Sequence, residues 1–268
     1  MECVRLRLDI TGVVQGVGFR PAVARIAARH GLDGFVYNDS GSVHAELQGA
    51  ADSVEAAVDA IRTGAPPMAR IDDIRVTALE TQRARGFRIV DSRAGDGART
   101  LVPPDIAICA DCLRELRDPG DRRFGHPFIT CTNCGPRYTV ITDLPYDRPA
   151  TTMVGFDMCA TCRAEYLDPG DRRFHAQTIA CPDCGPRLAW LGPGDGTDPI
   201  GAAVAVLAAG GIVAVKGVGG YHLACRAEDT AAVAELRRRK NRPAKPFALM
   251  VANLPAARRI VEVGAPAA

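Results

Sequence analysis

Val4, Leu6, Leu8 and Ile10 alternate with polar residues near the start of the chain, the period-two pattern of a strand with one buried face. A glycine-rich turn follows from Gln15 to Gly18, and Pro21 stands at a natural first helical position. Val23, Ile26 and Ala27 give that helix an apolar face, and Gly31 provides its end. Phe35–Asn38 and Val43–Leu47 read as two strands joined through the hairpin signal Asp39-Ser40-Gly41-Ser42. Ser53–Arg62 reads as a second amphipathic helix, and Ile74–Leu79 and Phe87–Val90 as further strands. This β-α-β-β-α-β order predicts a ferredoxin-like arrangement.

The pattern then changes. Cys109–Arg137 matches Cys159–Arg187 at 17 of 29 positions, an internal repeat with a period of 50 residues. Both copies contain Asp-Pro-Gly-Asp-Arg-Arg-Phe and end in Cys-Gly-Pro-Arg. Two copies are too few for a solenoid and predict paired modules. Beyond these, an Ala/Val/Gly-rich region begins near residue 198. A strand over Gly211–Lys216 runs into a glycine turn, Asp229 caps a helix through Arg239, and the segment after Lys245 enters another strand. Ser92–Thr100 and Leu191–Pro199 are turn-rich linkers. The expected organisation is an α+β multidomain chain with segments 1–92, 105–190 (modules 109–134 and 159–184) and 198–268. The last segment is short for a doubly wound or twisted sheet, which predicts an incomplete domain and a truncated chain.

With 47% hydrophobic and 24% charged residues the chain has ordinary globular composition, and its net charge of +2 gives no basis for a dedicated nucleic-acid binder. Only Lys216, Lys240 and Lys245 are lysines. The arginine bias suits bidentate contacts to phosphate or carboxylate and equally suits a genome-composition effect. There is no N-terminal signal pattern, and glycines interrupt the apolar stretch Ile200–Val215, so no membrane segment is expected and a cytoplasmic location is. In that compartment the ten cysteines are expected as metal ligands rather than disulfides.

Between the first strand and helix, Gln15, Gly16, Val17, Gly18, Phe19 and Arg20 form a candidate phosphate cradle. Glycines let backbone N–H groups converge on an anion, the helix N-terminus adds its dipole, and arginine can grip phosphate with two parallel hydrogen bonds. Gly34-Phe-Val-Tyr-Asn38, then Gly41-Ser-Val43 and Gly49, follow in order. Together these strings resemble the acylphosphatase family over about the first 92 residues. The resemblance implies that Arg20 binds the phosphoryl group and Asn38 positions the attacking water. His30 and His44 are expected as surface or partly packed residues, not catalysts.

Cys109-x2-Cys112-x18-Cys131-x2-Cys134 recurs as Cys159-x2-Cys162-x18-Cys181-x2-Cys184. Two pairs per module suit tetrahedral zinc, with iron or iron–sulfur as the alternative metal and disulfides requiring an oxidising compartment. Four thiolates close the coordination sphere, so the two zinc ions are expected to be structural and to drive folding. One zinc per repeat is the default, with ligands crossed between the sets as the alternative. Arg137 and Arg187 are expected to be solvated, and His126 and His175 are not needed as ligands.

The segment Gly211–Lys216 with Lys240-Asn-Arg242-Pro-Ala-Lys245 resembles the YrdC-like adenylate-forming family. By that resemblance Lys216, Lys240, Arg242 and Lys245 are candidate ligands of ATP, taken with Mg2+, or of carbamoyl-adenylate. His222 is a weaker candidate, and Cys225 is expected to pack. The whole order resembles the N-terminal order of the hydrogenase-maturation carbamoyltransferases, the HypF family. That implies hydrolysis of carbamoyl phosphate, adenylation of carbamate, and transfer of the carbamoyl group to the C-terminal cysteine of a partner maturation protein for cyanide-ligand synthesis. Two other readings remain: a general acylphosphatase with zinc appendages, and a zinc-ribbon binding module for protein or RNA.

Overall fold

The structure is a computed structural model that describes residues 2–39, 41–83, 85–93, 104–194, 196–217 and 220–264. The expected linker over 92–100 falls outside these residues from 94 onward, as does Asp195 in the second linker. The chain divides into two compact units, Met1–Arg187 and Leu188–Ala268.

The first unit opens with β1 (Cys3–Val13), α1 (Phe19–Arg29), β2 (Asp33–Asn38), β3 (Val43–Ala50), α2 (Ala51–Thr63), β4 (Arg70–Leu79) and β5 (Phe87–Ile89). The sheet order is β4-β1-β3-β2-β5, antiparallel apart from the parallel β2–β5 pair. The expected ferredoxin-like order is present. In register, Leu8 lies opposite Ala45 and Ile10 opposite Val43, and all four side chains are fully buried. α1 lays Val23, Ile26 and Ala27 on this face, and α2 adds Val54, Ala57, Val58 and Ile61. Each such buried aliphatic side chain larger than alanine contributes roughly 1.5–3 kcal/mol.

Helix α1 begins two residues before Pro21, which therefore occupies the third helical position. A proline is harmless there, because the first four N–H groups of a helix have no intrahelical partner. Gly12 interrupts the β1–β4 register and has a φ of 128°. A Cβ there would lie 2.1 Å from the Arg70 carbonyl oxygen, so this bulge requires glycine.

The cysteine region follows, with α3 (Ala110–Arg117) and α4 (Ala160–Leu167) each starting directly after the first cysteine of its set. Its apolar clusters are small: Cys112, Ile129, Cys131 and Cys134 in one module, and Cys162, Ala176, Ile179 and Cys181 in the other. Half or more of each cluster is cysteine, so the modules have little core without their thiols. The two copies clasp each other. Arg123 Nε donates to the Ala180 carbonyl at 2.9 Å, and its repeat counterpart Arg173 Nε donates to the Thr130 carbonyl at 3.1 Å.

The second unit contains α5 (Pro199–Ala208), the antiparallel hairpin β6 (Val213–Gly217) and β7 (Gly220–Ala224), α6 (Thr230–Lys240) and the short α7 (Leu254–Ala257). Asp229 caps α6 as expected, accepting from the Ala231 and Ala232 N–H groups at 3.0 Å. The strand expected after Lys245 does not form among the described residues. No ladder partner lies beside residues 247–250, and Met250 is 99% exposed. Among the described residues of this unit, only Val213, Ala232 and Leu236 are buried apolar residues. No helix of the described residues is long and apolar enough to cross a membrane.

Candidate functional site

The cradle is built where β1 gives way to α1. Gly16 and Gly18 have φ values of 67° and 78°, so the backbone alternates between hands through the loop. Gly18 stands at the N-cap of α1 and has no side chain with which to cap the first-turn N–H groups. Val17 and Phe19 bury their side chains in the sheet core and offer the cradle only their backbone. Gln15 braces the neighbouring turn: its Nε2 donates to the carbonyls of Asp39 and Ser42 at 2.7 and 3.3 Å. His44 supports the same turn, bridging Asp9 at 2.5 Å and Asp39 at 2.7 Å, which accords with a packed rather than catalytic histidine.

Arg20 and Asn38 line one cavity, together with Gly16 and Gly18. It encloses about 30 Å³, room for a water molecule or two. Asn38 ends β2 and is 1% exposed, and neither its Oδ1 nor its Nδ2 has a hydrogen-bond partner. A buried amide with both ends unpaired is costly, by about 1–3 kcal/mol per group, and marks a place where a ligand or water belongs.

The far wall comes from the cysteine region, through Thr132, Arg137, Tyr146, His175, Ala176 and Gln177. Arg20 is itself held in part by that region. Its Nη1 donates to Ser92 Oγ at 3.0 Å, and its Nη2 donates to the Tyr146 carbonyl at 3.3 Å and to Asp147 Oδ1 at 2.5 Å. Burial, with Arg20 nearby as a lesser cause, lowers the His175 pKa to about 4, so this wall residue is neutral near pH 7.

Arg137 corrects the expectation of a solvated side chain. It is 3% exposed, donates to the Gly16 carbonyl in the cradle, and reaches the Thr132 carbonyl at 2.8 Å and the Cys134 carbonyl at 3.1 Å. One side chain thus ties the Cys131–Cys134 pair to the phosphate loop. Arg187, its counterpart, does sit at the surface and contacts only the Pro182 and Asp183 carbonyls. No local pattern separates the two, because the difference is the presence of the cradle beside one module.

Each four-cysteine set closes on itself. Cys109–Cys131, Cys131–Cys134 and Cys134–Cys112 have Sγ···Sγ distances of 3.8, 3.7 and 3.5 Å. In the second set Cys159–Cys181, Cys181–Cys184 and Cys184–Cys162 lie at 3.8, 3.7 and 3.7 Å. A tetrahedron with metal–sulfur bonds of about 2.3 Å has edges of about 3.8 Å. These spacings therefore fit zinc, while the sulfurs are too far apart for disulfides. Burial pushes the Cys162 thiol up to about 12, so four thiolates gathered here require cationic compensation. Ligands are not crossed between the sets.

The sequence did not point to the arginines beside these thiols. Arg122 donates to Cys162, Cys159 and Cys181 of the second module at 3.5, 3.5 and 3.2 Å. Arg172 donates to Cys112 of the first. The doublet repeated in both Asp-Pro-Gly-Asp-Arg-Arg-Phe strings is the signal that carries them.

In the second unit Lys216, Lys240 and Lys245 are exposed, and no hydrogen bond or ion pair joins Lys216 to the Lys240–Lys245 loop. Lys216 lies over the Tyr221 ring at 5.0 Å. Arg242 braces its own loop through the Pro246 carbonyl at 3.0 Å, with its Nε buried and unpartnered. His222 pairs with Val215 in the hairpin, and Cys225 is half-buried.

Residues 6–89 match the acylphosphatase family, residues 108–141 and 158–191 the HypF finger, and residues 205–268 the Sua5/YciO/YrdC family, described as telomere recombination. The chain is 53% identical over 267 residues to carbamoyltransferase HypF2 of Cupriavidus necator, covering 97% of this chain and 33% of that protein. It is 40% identical over 91 residues to the acylphosphatase of Thermococcus kodakarensis, covering 34% of this chain and 99% of that enzyme. Among solved structures, full-length HypF in a phosphate- and nucleotide-bound form superposes with a TM-score of 0.95 at 47% identity, covering 99% of this chain and 35% of that one. The chain thus spans about a third of the length of the HypF relatives it matches. With an acylphosphatase region, paired HypF fingers and part of a Sua5/YrdC region in that order, the chain belongs to the HypF family and corresponds to its N-terminal region.

Proposed function

We propose that the site of Arg20 and Asn38 hydrolyses carbamoyl phosphate within a HypF-type carbamoyltransferase. The observation that carries this reading is the shared cavity, with a buried guanidinium at one side and the unpartnered Asn38 amide at another. The loop N–H groups of 15–20 and Arg20 hold the phosphoryl dianion. Asn38 Oδ1 accepts a hydrogen bond from water and aims it at phosphorus. The new P–O bond forms as the bond to the carbamoyl oxygen breaks, releasing phosphate and carbamate. An acyl phosphate carries its own good leaving group, so positioning and charge stabilisation suffice.

The eight cysteines hold two structural zinc ions, which contribute folding energy rather than chemistry. In the longer protein, Lys216, Lys240, Arg242 and Lys245 engage ATP with Mg2+ to adenylate the carbamate. The carbamoyl group then passes to the C-terminal cysteine of a partner maturation protein in the cytoplasm. The three functional segments are 1–92, 105–190 and 198–268. The matches across the whole chain support this over a general acylphosphatase or a binding module.

The test is phosphate release from carbamoyl and acetyl phosphate by the wild-type chain and Arg20→Ala. The reading expects faster turnover of carbamoyl phosphate and a loss of at least about a hundredfold in the variant. Equal turnover of the two substrates would favour the general acylphosphatase, and retained turnover in Arg20→Ala would remove Arg20 from the site.

A further inference from the structure

The hydrogen bonds of Arg20 raise a conflict with its proposed task. A guanidinium presents two forks to an anion, Nε with Nη2 and Nη1 with Nη2, and both include Nη2. Arg20 Nη2 already donates to two acceptors, the Tyr146 carbonyl at 3.3 Å and Asp147 Oδ1 at 2.5 Å. A phosphoryl dianion can be gripped bidentately only if one of them yields. The Tyr146 carbonyl is main chain of a buried residue, while the Asp147 side chain retains 23% of its exposure and has room to swing to solvent. Asp147 also carries the charge that a dianion on the same nitrogen would repel.

Among the described residues no other group holds the Asp147 carboxylate. It stands before the short 3-10 segment Arg148–Ala150 but makes no capping hydrogen bond to it, and Arg20 is its partner in the structure. Its backbone is by contrast anchored. The neighbouring Arg148 donates to the carbonyls of Gln177 and Ile179 at 2.9 and 3.0 Å, fixing this stretch to the second cysteine module.

We propose that Asp147 is a positioning residue that competes with the substrate phosphoryl group for Arg20: its carboxylate holds the guanidinium before substrate arrives and is displaced when an acyl phosphate binds. The cysteine region thereby sets the affinity of the acylphosphatase site. The inference rests on the reading that Arg20 binds phosphate.

The experiment measures inorganic phosphate binding by calorimetry, and KM and kcat for carbamoyl phosphate, in the zinc-loaded 268-residue chain. Asp147→Asn keeps the shape and removes the charge. It is expected to tighten phosphate binding and lower KM by about two- to fivefold, the range of a partly exposed ion pair, with kcat little changed. Asp147→Glu keeps the competitor and should stay near wild type. Arg20→Ala/Asp147→Asn should lose the gain. Weaker or unchanged phosphate binding in Asp147→Asn would overturn the proposal, weaker binding making Asp147 a support that stays in place. Should Asp147→Asn lose zinc, Asp147→Ser replaces it with the same sign expected. Phosphate binding that is indifferent to Arg20→Ala would instead overturn the reading of Arg20, and the proposal with it.

Discussion

Arg172 donates from both Nη atoms to the sulfur of Cys112, at 3.3 and 3.2 Å, although the two residues belong to different cysteine modules. Fifty residues earlier in the repeat, Arg122 makes the reciprocal contact, reaching Cys162 at 3.5 Å, and also donates to Cys181 at 3.2 Å. Each guanidinium is oriented by a carboxylate of the module it visits, Arg172 by Glu115 and Arg122 by Glu165. Four thiolates around a divalent ion leave a net charge of −2, and each module supplies a cation to the other's excess. Partners beyond the ligands tune metal affinity, and their loss typically costs 10–100-fold.

Arg172→Gln should therefore weaken zinc at Cys109, Cys112, Cys131 and Cys134 by about 10–100-fold. Arg122→Gln should do so at the other set. Chelator competition resolves the sites when one set is first removed by Cys112→Ser or Cys162→Ser. Equal zinc affinity in the arginine variants would make these contacts incidental.

A pH dependence follows from the buried His126 and the half-buried His175. Burial, with Arg123 as the lesser cause, lowers the His126 pKa to about 4, and burial with Arg20 does the same for His175. The unfolded chain binds these protons at about pH 6.5. Between those values the unfolded state holds more protons, so stability is full above about 6.5 and falls as the pH drops toward 4. Denaturant titrations of zinc-loaded protein at pH 7.5 and 5.5 should show that loss. His175→Asn, which tolerates the φ of 52° there, should flatten it. An unchanged slope in the variant would mean His175 does not contribute.

Gly18 is fixed from two sides. Its φ is 78°, and a Cβ would sit 2.8 Å from Thr132 Cγ2, between Cys131 and Cys134. Gly18→Ala should cost on the order of 1–3 kcal/mol and slow phosphate release while zinc content stays at wild type. Adding Thr132→Ser removes the methyl but not the backbone strain, so it should restore only part of the loss.

Much of this was readable in the sequence because it is local. Alternation at Val4–Ile10 and the helical faces at Val23–Ala27 and Val54–Ile61 specify the ferredoxin-like order, and the cysteine spacing specifies two closed tetrahedra. Contacts between modules were not readable. Arg137 and Gly16 are 121 positions apart, and nothing around Arg137 distinguishes it from the surface residue Arg187. No motif in the sequence singles out Asp147, whose role depends on Arg20, 127 positions away. The strand expected after Lys245 shows the converse, since an apolar run forms a strand only where a ladder partner exists.

The most direct measurement is phosphate release from carbamoyl phosphate, corrected for spontaneous decay, by the zinc-loaded wild-type chain and by Asn38→Ala. The account predicts clear enzymatic release in the wild type and a drop of about a hundredfold or more in the variant, with zinc content and inorganic phosphate binding retained. An Asn38→Ala protein that turns over carbamoyl phosphate at the wild-type rate would contradict it, because the unpartnered amide would then position no attacking water.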